Sequence, residues 1–109
     1  MVDYLVVSTA AESHEAAMRL ARSAVAARLA ASAHVTGPVS SVFRHEGRLG
    51  EGEEWQTSFK TTAARYTELE AHILERHPWT NPEVSAVPLV SGSAPYLEWI
   101  GRTVASDRV

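Results

Sequence analysis

The sequence contains no cysteine, which excludes both a disulfide framework and a thiolate metal site. No apolar stretch approaches the roughly 20 residues that a membrane-crossing helix needs. The N-terminal residues also lack the basic and apolar segments of a secretory signal, so the cytoplasm is the expected compartment and no membrane partner is expected. Basic residues are scattered, 10 Lys and Arg against 13 Asp and Glu. Arg19, Arg22 and Arg28 follow one expected helix, but Glu12 and Glu15 stand at its start. Nucleic acid binding draws on counterion release at a concentrated basic patch, and there is none, so nucleic acid is set aside. A cysteine nucleophile, a G-x-S-x-G elbow, a metalloprotease helix motif and a close carboxylate pair are all missing. The chain is therefore not expected to be an enzyme.

What is there fits one domain, residues 1–109. Tyr4-Leu5-Val6-Val7 opens a run rich in β-formers and apolar on both faces, as in a central strand. Ser13 is placed to cap a helix with Ala17, Leu20, Ala21, Ala24 and Val25 on one face, extending to about Ala31. From Ala33 the period becomes two, with Gly37-Pro38 as a bend or bulge. Gly47, Gly50 and Gly52 mark a turn region, after which Trp55, Thr57 and Phe59 alternate with polar residues. Thr61 or Thr62 is expected to cap a second helix with Tyr66, Leu69, Ile73 and Leu74 on its apolar face, ended by Pro78. A last strand runs from about Val84 to Val90, and its Pro88 places it at a sheet edge. Ser93 then caps a short helix, and the polar tail from Ala105 is expected to fray.

The order βαββαβ plus a further helix predicts an α+β, ferredoxin-like sandwich with both crossover helices on one sheet face. The other face is left bare beneath a strand that is apolar on both sides. The first arm of the long β2–β3 hairpin, from Ala33 to Arg48, would extend about 50 Å if straight, against a radius of gyration of about 13 Å for a domain of this size. Its unpaired edges, carrying Phe43 and Trp55, call for a second subunit.

The chain resembles the CutA divalent-cation tolerance family over nearly its whole length. The resemblance rests on Ser8-Thr9-Ala10, Arg28-Leu29-Ala30-Ala31, Phe43-Arg44-His45-Glu46-Gly47, Glu53-Glu54, Lys60-Thr61-Thr62, His77-Pro78, Pro82-Glu83, Val87-Pro88-Leu89-Val90 and Tyr96-Leu97-Glu98-Trp99. It implies a ferredoxin-like homotrimer associated with tolerance to divalent metal ions, copper above all. Members often carry cysteine at the positions of Ser8 and Ser32, and a copper-associated member carries histidine at that of Arg76. Of the three copper ligands in that pattern, this chain keeps His77. The resemblance thus names His77 as the metal candidate, with Cu(II) or another divalent cation as its ligand and no certain cofactor. Two other readings are a trimeric small-ligand sensor like the PII regulators and an acylphosphatase-type hydrolase. An acidic hairpin tip and Ala10-Ala11-Glu12 after the first strand speak against them in turn.

Each candidate has a structural alternative. His77 can instead interact with the last carbonyls of its helix. His45 shares a face with Phe43 and reads as an interface residue, His72 as a solvated helix residue, and His14 and His34 carry no supporting pattern. Glu51, Glu53 and Glu54 could attract cations weakly but suit a soluble tip. Lys60-Thr61-Thr62 could hold an anion at a helix start, and Trp55, Trp79 and Trp99 with Tyr66 and Tyr96 could line a pocket.

Overall fold

Eight residues whose burial deepens towards the C-terminal end form the first strand, β1 (Tyr4–Ala11), in a computed structural model that describes residues 3–105. Then follow α1 (His14–Ala26), β2 (Ser32–His45), β3 (Arg48–Thr62), α2 (Tyr66–Arg76), β4 (Ser85–Pro88) and α3 (Ala94–Val104), with a single 3-10 turn, Ala63–Arg65, before α2. The sheet order is β2-β3-β1-β4 with antiparallel neighbours throughout. This is the ferredoxin-like α+β arrangement expected from the sequence. β1 is central, and β4 lies at the edge, as Pro88 requires.

The register separates the two faces. Leu5, Val7, Thr9 and Ala11 stand opposite Thr61, Phe59, Thr57 and Trp55. These odd-numbered positions face the helices: Val7 and Phe59 share a buried cluster with Ala24 of α1 and Leu69 and Ile73 of α2. Alanines at 16, 17, 21 and 24 keep α1 close to the sheet. The even-numbered face meets only α3, whose Ile100 and Val104 pack with Tyr4 and Ala31 at one end of β1. Farther along, Val6, Ser8, Ser58 and Lys60 are only partly covered.

Ser13 caps α1 as expected, its hydroxyl accepting from the Ala16 N–H at 3.1 Å. The helix ends at Ala26, five residues before the expected Ala31. Arg28 turns into the left-handed region at φ 61°. Leu29 N–H then bonds Ala24 O and Arg28 N–H bonds Val25 O, both at 3.0 Å, the paired bonds of a Schellman stop. Glycine usually occupies such a position, which hid the stop in the sequence. The Arg28 guanidinium reaches the far end of α3, donating to Thr103 O at 3.2 Å and Ala105 O at 3.0 Å.

The hairpin differs from expectation at its tip. The reversal takes only Glu46 and Gly47, at φ 50° and 77°, a left-handed pair that matches the twist of the arms. Gly50 and Gly52 lie within β3, opposite Phe43 and Ser41. A side chain at Gly50 would stand 2.5 Å from the Phe43 ring, so this glycine is a seat for an aromatic rather than part of a turn. The irregularity expected at Gly37-Pro38 is present as a register shift between Thr36 and Val39. Thr61 is not a helix cap: β3 runs through Thr62, and the buried Thr61 hydroxyl donates to Leu29 O at 2.7 Å. With its arms extended, the domain measures 47 × 26 × 22 Å with a radius of gyration of 14.7 Å. The expected fraying beyond Ala105 concerns residues 106–109, which lie outside the described residues.

His72, expected to be solvated, joins α2 to α1 through a 2.7 Å hydrogen bond between its Nε2 and Ser23 Oγ. Partial burial, reinforced by the positive charge of Arg76, lowers its pKa from the ordinary 6.5. The unfolded chain therefore takes up a proton that folded His72 resists. Stability should be insensitive to this group above about pH 6.5 and fall as pH drops from there towards the lower folded value. Urea unfolding at several pH values, for wild type and His72→Gln, measures this. The wild type should lose more stability on acidification, and parallel curves would reject the assignment.

Candidate functional site

Pro78 stops α2, and His77 becomes its C-cap in extended conformation at φ −77° and ψ 135°. Its backbone N–H closes the helix on Ile73 O at 2.9 Å. This geometry turns the imidazole under the end of β1, where it is buried. Nε2 lies 2.6 Å from Ala10 O, and Nδ1 accepts the Trp79 N–H at 3.1 Å. A carbonyl can only accept and a backbone N–H can only donate, so the ring must be neutral and carry its proton on Nε2. The Trp79 ring tilts over it with centroids 5.0 Å apart.

Both ring nitrogens are thus committed, and a metal at either would displace a backbone partner. The side chains at the other two positions of the copper pattern do not converge on it. Ser8 alternates with Val7 and so lies on the sheet face away from α2. Arg76 points along α2, where its Nη1 donates to His72 O and contacts Glu75. Among the described residues no three His, Asp or Glu side chains converge. The described residues of one protomer therefore present no assembled ligand set around His77.

The other candidates are dispersed as well. His45 ends β2 with Nε2 3.6 Å from Glu46 Oε1, both side chains exposed. Glu51 and Glu53 share one face of β3, and Glu54 takes the other. His14 packs edge-on against Trp55 at 4.9 Å, and His34 is an exposed residue of β2 opposite Ser58. Thr61 is spent on Leu29 O, and Thr62 makes no side-chain cap bond, which leaves no anion cradle there. The tryptophans occupy three separate places: Trp55 with Ala11, Ala16 and Ala17, Trp79 on His77, and Trp99 beside Tyr96 in α3. Tyr66 is occupied with Glu70, to which its hydroxyl donates at 2.8 Å.

What does stand out is the hairpin. At its outer half Val42 and Leu49 are 67% and 68% exposed, and Phe43 is 48% exposed. Val42 and Leu49 lie diagonally on one face, while Phe43 takes the other above Gly50. Val87 on edge strand β4 is also exposed. Apolar side chains grouped on strands with an open outer edge form a surface suited to another chain.

Comparison with known proteins places this geometry. The family model described as CutA1 divalent ion tolerance protein matches residues 5–103. A divalent-cation tolerance protein CutA from Thermus thermophilus is 33% identical over 87% of this chain and 92% of its own length. A chloroplastic CutA protein of Arabidopsis thaliana is likewise 33% identical over 91% of this chain, which spans only 54% of that relative. The solved structure of a periplasmic divalent cation tolerance protein CutA from Archaeoglobus fulgidus superposes with a TM-score of 0.89, covering 93% of this chain and 98% of that one at 29% identity. Matched along nearly its whole length, the chain belongs to the CutA1 divalent ion tolerance protein family.

Proposed function

We propose that the chain acts in the cytoplasm as a non-catalytic homotrimer in the response to divalent metal ions. The observation that carries the assembly is the projecting hairpin, with Val42, Phe43 and Leu49 exposed on two strands that beyond the bulge pair only with each other. A second copy would complete those strands and cover the part of the sheet that α3 leaves open. The family resemblance supplies the number three and the link to divalent ions. The reading as non-catalytic rests on the lack of any paired nucleophile and base in the sequence.

Within this reading Cu(II) or another divalent cation binds weakly, because His77 must give up a hydrogen bond to become a ligand. Ser8 and Arg76 do not help: a neutral hydroxyl is a poor copper ligand, and a guanidinium repels a dication. Sedimentation equilibrium should give three times the subunit mass of 11.9 kDa, and a monomer would reject the assembly. Calorimetric titration of that trimer with Cu(II), beside His77→Ala, tests the metal part. Nanomolar affinity at one ion per subunit, unchanged in His77→Ala, would place the metal elsewhere.

A further inference from the structure

On the helical side of the molecule, away from the open sheet face, α1 and the end of α2 enclose a groove of about 380 Å³. Ala16 and Leu20 form its buried floor with Pro78 beside them, and Arg19, Ser23 and Arg76 form its rim. We propose that this groove binds a small organic polycarboxylate, held between the guanidiniums of Arg19 and Arg76 with its carbon skeleton on the apolar floor.

Three features support this ligand class. First, two arginines from different helices converge on one concavity in a chain whose net charge is −3. A guanidinium offers five N–H donors in a planar fork suited to carboxylates. Second, those donors remain available. Arg19 meets Glu15 at 3.2 Å and Arg76 meets Glu75 at 3.3 Å, in both cases through Nη1 alone. These carboxylates are exposed, and such surface pairs contribute little, so a ligand carboxylate can replace them. Third, the groove is larger than an inorganic oxyanion needs and half of its lining is apolar. That combination favours a carbon-bearing anion over bare phosphate. Next to the groove, His72 bonds the rim residue Ser23, and its imidazolium form is disfavoured first by burial and then by the charge of Arg76.

The test uses the full chain, citrate as probe, and two-dimensional NMR of backbone amides and histidine ring protons. Citrate should shift the signals of Ser23, His72 and Arg76 in a saturable way and leave His34, on the other face, unmoved. Arg19→Gln and Arg76→Gln, both at exposed positions, should each weaken binding by about tenfold while the rest of the spectrum is preserved. Sodium chloride at matched ionic strength should not reproduce the shifts. Inorganic phosphate should bind more weakly than citrate. Phosphate binding as tightly as citrate, equal shifts with chloride, or titrations unaffected by both substitutions would each overturn the proposal. With the protein made metal-free beforehand, because citrate itself chelates divalent cations, these readouts are independent of metal binding and of the number of subunits.

Discussion

His77→Ala should destabilise the chain by about 2–4 kcal/mol in metal-free buffer, although no charge is removed and the residue lies outside every regular element. The substitution deletes one partner from each of two hydrogen bonds. It deprives Ala10 O of this partner at a buried position, and the Trp79 N–H of its own at a part-buried one, and an unsatisfied buried group costs about 1–3 kcal/mol. The space vacated by the ring removes packing from Trp79 as well. Urea unfolding with a chelator present measures the loss directly. His77→Gln, which keeps one donor and one acceptor, should recover part of it. A structural His77 predicts the same difference with and without divalent ions. If His77→Ala is harmless in chelator and destabilising only when Cu(II) is added, the residue is a ligand and the hydrogen-bonded reading fails.

The second large effect concerns the hairpin. The double substitution Val42→Lys, Leu49→Lys places two charges at side chains that are about two-thirds exposed in a single protomer. An isolated domain should tolerate this within about 0.5 kcal/mol, as it does most surface changes. In an assembly that buries those side chains, the same charges face desolvation and mutual repulsion, and association should fail. Sedimentation should then show the single-subunit mass, and the thermal midpoint should fall by about 10 °C or more. Circular dichroism should retain the native pattern. An unchanged mass and midpoint would mean that the outer hairpin is not the contact. Trp55→Ala is a useful contrast. Trp55 packs against the cluster of Ala11, Ala16 and Ala17 of its own subunit, so its loss should weaken the protomer first and the assembly only as a result.

Much of this architecture is legible in the chain because its signals are local. The two-residue period from Trp55 to Phe59, the Ser13 cap, the proline in β4 and the break at Gly37-Pro38 each constrain a few adjacent residues, and the fold keeps all of them. What is less legible depends on contacts between distant segments. Gly50 reads as a turn former until Phe43 is seen lying across it from the opposite strand. Thr61 looks like a cap until its hydroxyl is found 32 residues away in sequence, on Leu29. His72 and Ser23 meet only because α1 and α2 pack side by side. For the candidate site the same limit is sharper. The position of His77 after α2 follows from Pro78, but its ring partner Ala10 is 67 residues upstream. Nothing near His77 in the sequence signals that both nitrogens are taken.

The register shift between Thr36 and Val39 has a bearing on how this protein can change over time. Before it, Val35 pairs with Thr57 and odd residues of β2 face the helices; after it, Val39 pairs with Glu54 and odd residues face away. One extra residue therefore uncouples the inner arm from the outer arm. Beyond the shift Ser40, Val42 and Arg44 are exposed, whereas before it Ala33 and Val35 pack against the buried clusters. The two halves of one strand can thus drift under separate selection, the inner half for folding and the outer half for whatever it meets.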